Sequence, residues 1–260
     1  PPPPPPPPHE PARAAHYRFG GKEYQLPLNR MPNAIHGFAI EAAWDVIAQE
    51  ARAEGASITG RYQISQQSPE MLRHWPADAV LQMRYTLAEG RLRLEITVSN
   101  PTADDLPFGF GIHPYFRLPF EPGGDPARTA VILPASQYWV LQDYLPTGER
   151  RPVDDRLDFR QGKPIQGLKL DDVLTGLPED GGVCRLIDQN LKAEFRLVFD
   201  RHFRELVVFT PPAPEGVIAI EPYTQTTDAI NLQARGIDAG LRVLKHGQQA
   251  DMTLVLETRG

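Results

Sequence analysis

The stretch Ala79-Val80-Leu81-Gln82-Met83-Arg84-Tyr85-Thr86-Leu87-Ala88-Glu89-Gly90-Arg91-Leu92-Arg93-Leu94-Glu95-Ile96-Thr97-Val98 decides the fold class of this chain. Leu81, Met83, Tyr85 and Leu87 alternate with Gln82, Arg84 and Thr86. Beyond Ala88-Glu89-Gly90 the alternation resumes, with Leu92, Leu94, Ile96 and Val98 against Arg91, Arg93, Glu95 and Thr97. Two runs of period 2 around a three-residue loop containing glycine predict an antiparallel hairpin that buries one face.

Working outward, short apolar runs recur at 131–133, 138–141, 193–199, 205–210, 217–220 and 252–256. Turn formers such as Gly123-Gly124 and Pro211-Pro212 bound several of them, and no βαβ alternation is visible. Many short strands punctuated by turns predict an all-β antiparallel sandwich or barrel. The exception is 41–54, rich in Ala, Glu and Gln, which is the best helix candidate by propensity alone. Its Trp44, Val46 and Ile47 fit neither a 3.6 period nor a period of 2.

The chain has 260 residues, enough for one large domain or two small ones, and at that length it needs no disulfide or metal to fold. Its single cysteine, Cys184, has no partner within the chain, which fits a reducing compartment. The net charge is -6 with both signs interspersed, so nothing marks a nucleic-acid surface. No apolar run approaches a membrane span, and no secretory signal pattern is present in the sequence as given; a cytoplasmic location is expected. Of 28 prolines, eight form the opening run, which reads as an extended or disordered tail over 1–16 ahead of a domain at 17–260.

Four polar islands stand out: Asn33-Ala34-Ile35-His36-Gly37, Gly111-Ile112-His113-Pro114-Tyr115-Phe116, Leu170-Asp171-Asp172-Val173 and Ile218-Ala219-Ile220-Glu221-Pro222-Tyr223. Each sets an ionisable side chain beside a turn former or at the end of an apolar run, positions that tend to reach a shared cleft. A carboxylate such as Glu221 is costly to bury unpaired, so function or an ion pair must account for it. His113 alone could equally be a core histidine satisfied by hydrogen bonds, and Asp171-Asp172 could be ordinary turn chemistry. Together, His36, His113, Asp171 and Glu221 could also be read as a two-histidine–carboxylate metal set, but no HxH or HExxH spacing supports that. His9, His16, His74, His202 and His246 have no comparable setting and read as surface residues.

In order along the chain, Pro32-Asn33-Ala34-Ile35-His36-Gly37, His113-Pro114-Tyr115-Phe116, Leu170-Asp171-Asp172-Val173 and Glu221-Pro222-Tyr223 resemble the successive motifs of aldose 1-epimerases. The stretch Phe19-Gly20-Gly21-Lys22-Glu23-Tyr24-Gln25-Leu26 and the stretch Thr226-Thr227-Asp228-Ala229-Ile230-Asn231 resemble the family's flanking segments. The resemblance implies a galactose mutarotase-like supersandwich with a sugar cleft on one concave face. It also implies His113 as general acid, Glu221 as general base, and His36 and Asp171 as contacts to sugar hydroxyls. Asp171 fits that role better than Asp172, because it directly follows the apolar residue of the motif. On the same ground, 44–48 is expected to be a strand.

The implied reaction interconverts α- and β-anomers of a hexose by ring opening and closure, and it calls for no cofactor or metal. A carboxylate suits proton removal from the C1 hydroxyl, and an imidazole suits protonation of the ring oxygen. Two other functions fit the same fold. One is a hexose 6-phosphate mutarotase, for which Arg61, Arg73 or Arg84 would have to hold the phosphate. The other is a non-catalytic carbohydrate-binding module, against which the presence of both His113 and Glu221 argues. A glycosidase would want two carboxylates flanking the scissile bond. The expected partner is a small sugar, with neither nucleic acid nor membrane, and the protein is expected to be a monomer or homodimer.

The departure from the family lies at the front. Its usual first strands and an Asn-Arg pair that helps to bind sugar have no counterpart in 1–16, where Glu10-Pro11 stands near the expected place and Arg13 takes no role. Either the start of the sequence is truncated or disturbed, or this member lacks that arginine. An uncovered strand edge near 17–26, or a second chain covering it, is the expected consequence.

Overall fold

The computed structural model describes residues 15–259. The proline run, Arg13 and His9 lie outside those residues.

Two antiparallel sheets form a sandwich. The eight-stranded sheet runs, in spatial order, Asp45–Arg52, Gly55–Gln63, Val80–Ala88, Arg91–Ser99, Gln249–Arg259, Ala193–Asp200, Gly181–Asp188 and Thr129–Ile132. The six-stranded sheet runs Leu145–Pro152, Gln137–Gln142, Asp171–Thr175, Glu205–Phe209, Val217–Tyr223 and Tyr115–Arg117. Leu94, Ile96, Val98, Leu197 and Leu254 of the large sheet share one core with Leu174, Leu206, Val208, Ile218 and Ile220 of the small one. Cys184 is fully buried there, and burial raises its thiol pKa far above the ordinary range. Because side chains alternate across a strand, burying Leu206, Val208 and Ile220 turns Glu205, Val207, Glu221 and Tyr223 to the opposite, outer face. No helix among the described residues is long and apolar enough to cross a membrane.

The deciding hairpin is present as Val80–Ala88 and Arg91–Ser99, with its apolar set inward. Its loop is shorter than expected. Ala88 pairs with Arg91, leaving two residues, and both Glu89 and Gly90 adopt positive φ (50° and 71°). That is the mirror-image turn whose twist matches the flanking strands, and Gly90 takes it without steric cost.

Residues 45–52 form a strand despite their helical composition, extending beyond the expected 44–48 and beginning after Trp44. A register shift between Val46 and Ala48 explains the absence of a clean period, since a bulge moves the alternation to the other face. At the front, His16–Phe19 pairs only with Lys22–Gln25, as a separate hairpin. The Tyr17 hydroxyl donates to the His74 carbonyl at 2.7 Å, and His74 Nδ1 lies 2.5 Å from the Gln25 carbonyl oxygen. His74 is therefore a half-buried fastening rather than a surface residue. His16 and His202 are half-buried too, whereas His246 is exposed.

Candidate active site

Glu221 sits on the strand Val217–Tyr223, on the outer face of the small sheet, with its side chain only 3% exposed. Val207 is its direct neighbour on the adjoining strand, so one flank is apolar. Tyr223, two residues on and on the same face, donates its hydroxyl to Glu221 Oε2 at 2.8 Å. The other oxygen, Oε1, lies 3.2 Å from His113 Nε2.

His113 reaches that position because its loop is laced to the same strand. Phe110 and Thr224 exchange two hydrogen bonds, Phe110 N to Thr224 Oγ1 and Thr224 N to the Phe110 carbonyl, each 2.9 Å. Ile112 N donates to the Pro222 carbonyl at 3.4 Å, and Ile220 N to the Pro114 carbonyl at 3.3 Å. Tyr115–Arg117 then continues as a strand paired with Val217–Ala219. The ring itself is stacked on Tyr115 (centroids 4.9 Å apart) and met edge-on by His36 (5.2 Å).

His36 arrives on a loop shaped locally. The Asn29 side chain clamps Ile35, accepting from its N–H and donating to its carbonyl, both at 2.8 Å. Arg30 and Asn33 close a bridge beneath, and His36 and Gly37 both take positive φ. A non-glycine residue held in that region is uncommon, and such positions cluster at functional sites. Asp171 opens the strand Asp171–Thr175, on the same outer face as Val207 and Glu221. Asp172 points away and is taken up by Arg156 in a two-pronged pair at 2.8 and 2.6 Å. Geometry therefore separates the two aspartates, and Asp171 is the one on the site's face.

The charges in this region act on one another. Burial pushes the Glu221 carboxyl up to about 7; the Tyr223 hydrogen bond opposes that shift and the Asp171 charge adds to it. Burial, with the His36 charge, holds His113 below the usual imidazole value. His36 is lowered by burial and by Arg30, while Asp171 is raised by burial and by Asp172, with Arg30 opposing. Burial thus disfavours the charged form of both groups, the ionised Glu221 and the protonated His113. Such a pair can exchange roles as donor and acceptor with little driving force either way.

The structure thus places His36, His113, Asp171 and Glu221 around one patch of the outer face. Two residues beside them were not singled out from the sequence. Tyr223 lay within a quoted motif but without a role, and Arg30, three residues before Asn33, carries the positive charge that acts on both His36 and Asp171. Arg61, considered for a phosphate, is instead bonded to Gln63 and Gln66. Among the described residues no group of three or more His, Cys, Asp or Glu is arranged to hold a metal ion.

Comparison with known proteins bears on the family and the fold. The chain is 31% identical over 159 residues to the Escherichia coli K12 protein YihR, spanning 60% of this chain and 48% of that one. It is 29% identical over 158 residues to mouse galactose mutarotase, spanning 60% of this chain and 44% of the relative. The chain therefore matches less than half the length of either. A galactose mutarotase-like protein from Clostridium acetobutylicum superposes with a TM-score of 0.86, over 95% of this chain and 75% of that one, at 19% identity, which speaks for the fold. The aldose 1-epimerase family profile matches residues 8–257, so the chain belongs to the aldose 1-epimerase family.

Proposed function

We propose that the protein is a hexose mutarotase, with Glu221 as general base and His113 as general acid. The observation that carries this reading is the 3.2 Å approach of Glu221 Oε1 to His113 Nε2, on a partly open face with His36 and Asp171 beside it. The reaction needs this closeness. The hydroxyl that loses a proton and the ring oxygen that gains one are both bonded to C1, so acid and base must converge on neighbouring atoms. A glycosidase instead needs two carboxyl groups separated across the scissile bond.

Glu221 takes the proton of the C1 hydroxyl while His113 gives its proton to the ring oxygen. The C1–O5 bond breaks, leaving an open-chain aldehyde. After rotation about C1–C2, the C5 hydroxyl attacks the other face of the carbonyl. His113 recovers its proton from that hydroxyl, and Glu221 returns the other to the carbonyl oxygen, so the enzyme ends as it began. His36 and Asp171 hold sugar hydroxyls in this reading, and Arg30 supplies the site with a cation from outside the family's usual Asn-Arg pair.

The test is anomer exchange followed by NMR, with galactose, glucose and glucose 6-phosphate as separate substrates. Acceleration of galactose or glucose exchange supports a free-sugar mutarotase. Acceleration of glucose 6-phosphate alone would move the assignment to the phosphorylated class, and acceleration of none would leave the binding-module reading.

A further inference from the structure

Tyr223 is the strongest unassigned feature near the site. Its hydroxyl donates to Glu221 Oε2 at 2.8 Å, and its ring lies over Gly111 in the His113 loop. A Cβ at position 111 would run into that ring, so the close approach exists only because residue 111 is glycine. Gly111 and Tyr223 also form a β-bridge, which fixes both backbones. Tyr223 therefore touches the loop that carries the acid and the side chain proposed as the base.

We propose that Tyr223 is a positioning residue for Glu221: it holds Oε2 by a charge-assisted hydrogen bond and leaves Oε1 facing His113 as the proton-accepting oxygen. This rests on the reading of Glu221 as the base. Burial and the Glu221 charge keep the Tyr223 phenol protonated far above its ordinary range, so it is a donor at any working pH. Donation to the ionised carboxylate favours the charged form, which opposes the effect of burial on Glu221. The remaining groups facing Glu221 are His113 on the loop, Asp171 across the sheet and, behind His113, His36 with Arg30. Of the neighbouring strand, Val207 is apolar and Glu205 is bonded to Trp139 Nε1 at 3.0 Å. None of these donates a hydrogen bond to Oε2 in place of the phenol.

The test compares wild type, Tyr223→Phe and Glu221→Gln as full chains with carboxyl-carbon-13-labelled glutamate. The signal missing in Glu221→Gln identifies Glu221. In Tyr223→Phe that signal should titrate about one pH unit higher. The rate of galactose anomer exchange should then fall about ten-fold on the acid side of neutrality and rejoin wild type in alkali, where Glu221 is ionised in both. Removal of a merely structural ring would lower the rate by the same factor at every pH. A Glu221 titration that coincides in wild type and Tyr223→Phe, or a rate loss independent of pH, would overturn the role of Tyr223. If Glu221→Gln is inactive in the same series, the base assignment stands even so; an active Glu221→Gln removes the base assignment itself.

Discussion

Replacing Glu221 by Gln should stabilise the protein in alkali and barely change it in acid. The Glu221 carboxyl is raised from 4.5 to about 7 in the folded chain, chiefly by burial. Between those two values the unfolded chain ionises while the folded one stays neutral, so folding loses stability as pH rises. Above about 7 both are ionised and the full cost is present. A shift of about 2.5 units, at about 1.4 kcal/mol per unit, amounts to roughly 3.5 kcal/mol. Gln is nearly isosteric and still accepts from the Tyr223 hydroxyl, so its own desolvation does not vary with pH. The stability gap between Glu221→Gln and wild type should therefore widen by about 2–3 kcal/mol from about pH 4.5 to about pH 8. For a chain of this size that is roughly 5–10 °C in Tm. Thermal or urea unfolding at the two pH values reads it directly. A gap equal at both would mean that Glu221 is ionised at no cost in the folded protein, and the desolvated base would be refuted.

The pH–rate profile should be a narrow bell. Glu221 must be ionised and His113 protonated; with Glu221 raised to about 7 and His113 lowered, the base's pKa stands above the acid's, so the productive form is a minor one and the rate peaks narrowly between the two; initial rates flat from about pH 5 to about pH 9 would contradict this. Asp171→Asn should raise KM about ten-fold with a smaller change in kcat, because a charged hydrogen bond to substrate is worth about 1.5–3 kcal/mol. Asp172→Asn, which loosens the half-exposed Arg156 pair and the bond from Asp171 N but leaves the Asp171 side chain in place, should change KM much less; steady-state kinetics of both variants decide between the aspartates. On the large sheet, Asp188 is fully buried and accepts from Phe120 N and from both Asn190 nitrogens at 2.8 Å. Asp188→Ala should cost about 3 kcal/mol in urea unfolding while leaving kcat per folded molecule intact.

The fold class was legible wherever one face of a strand is buried and the other is wet, as in Val80–Ala88 and Arg91–Ser99. It was obscure where a bulge breaks the alternation, as between Val46 and Ala48. Glycine and cysteine also masked a strand, since Gly181–Asp188 buries Cys184 and Leu186 but begins with two glycines. At the site, the apolar run ends at Ile220 because Glu221 is charged, and the proline at 222 gives no sign of a continuing strand. The strand in fact runs through Tyr223, and the Pro222 carbonyl still serves as acceptor for Ile112 N. Ending the strand at Ile220 hid the relation that matters: residues 219, 221 and 223 share a face, so Tyr223 lies beside Glu221. Arg30 was hidden for another reason. Its influence on His36 and Asp171 depends on the Arg30–Asn33 bridge and on a strand far along the chain, and no local pattern encodes that distance.

The central claim is that Glu221 and His113 move the two protons of anomer exchange. Its most direct test is NMR-detected galactose exchange with Glu221→Gln, a variant that keeps the shape and the Tyr223 hydrogen bond but removes the base. The account predicts a loss in kcat of about 100-fold or more with the fold intact, and a similar loss in His113→Asn that does not multiply in the double variant. Exchange by Glu221→Gln at the wild-type rate would contradict it.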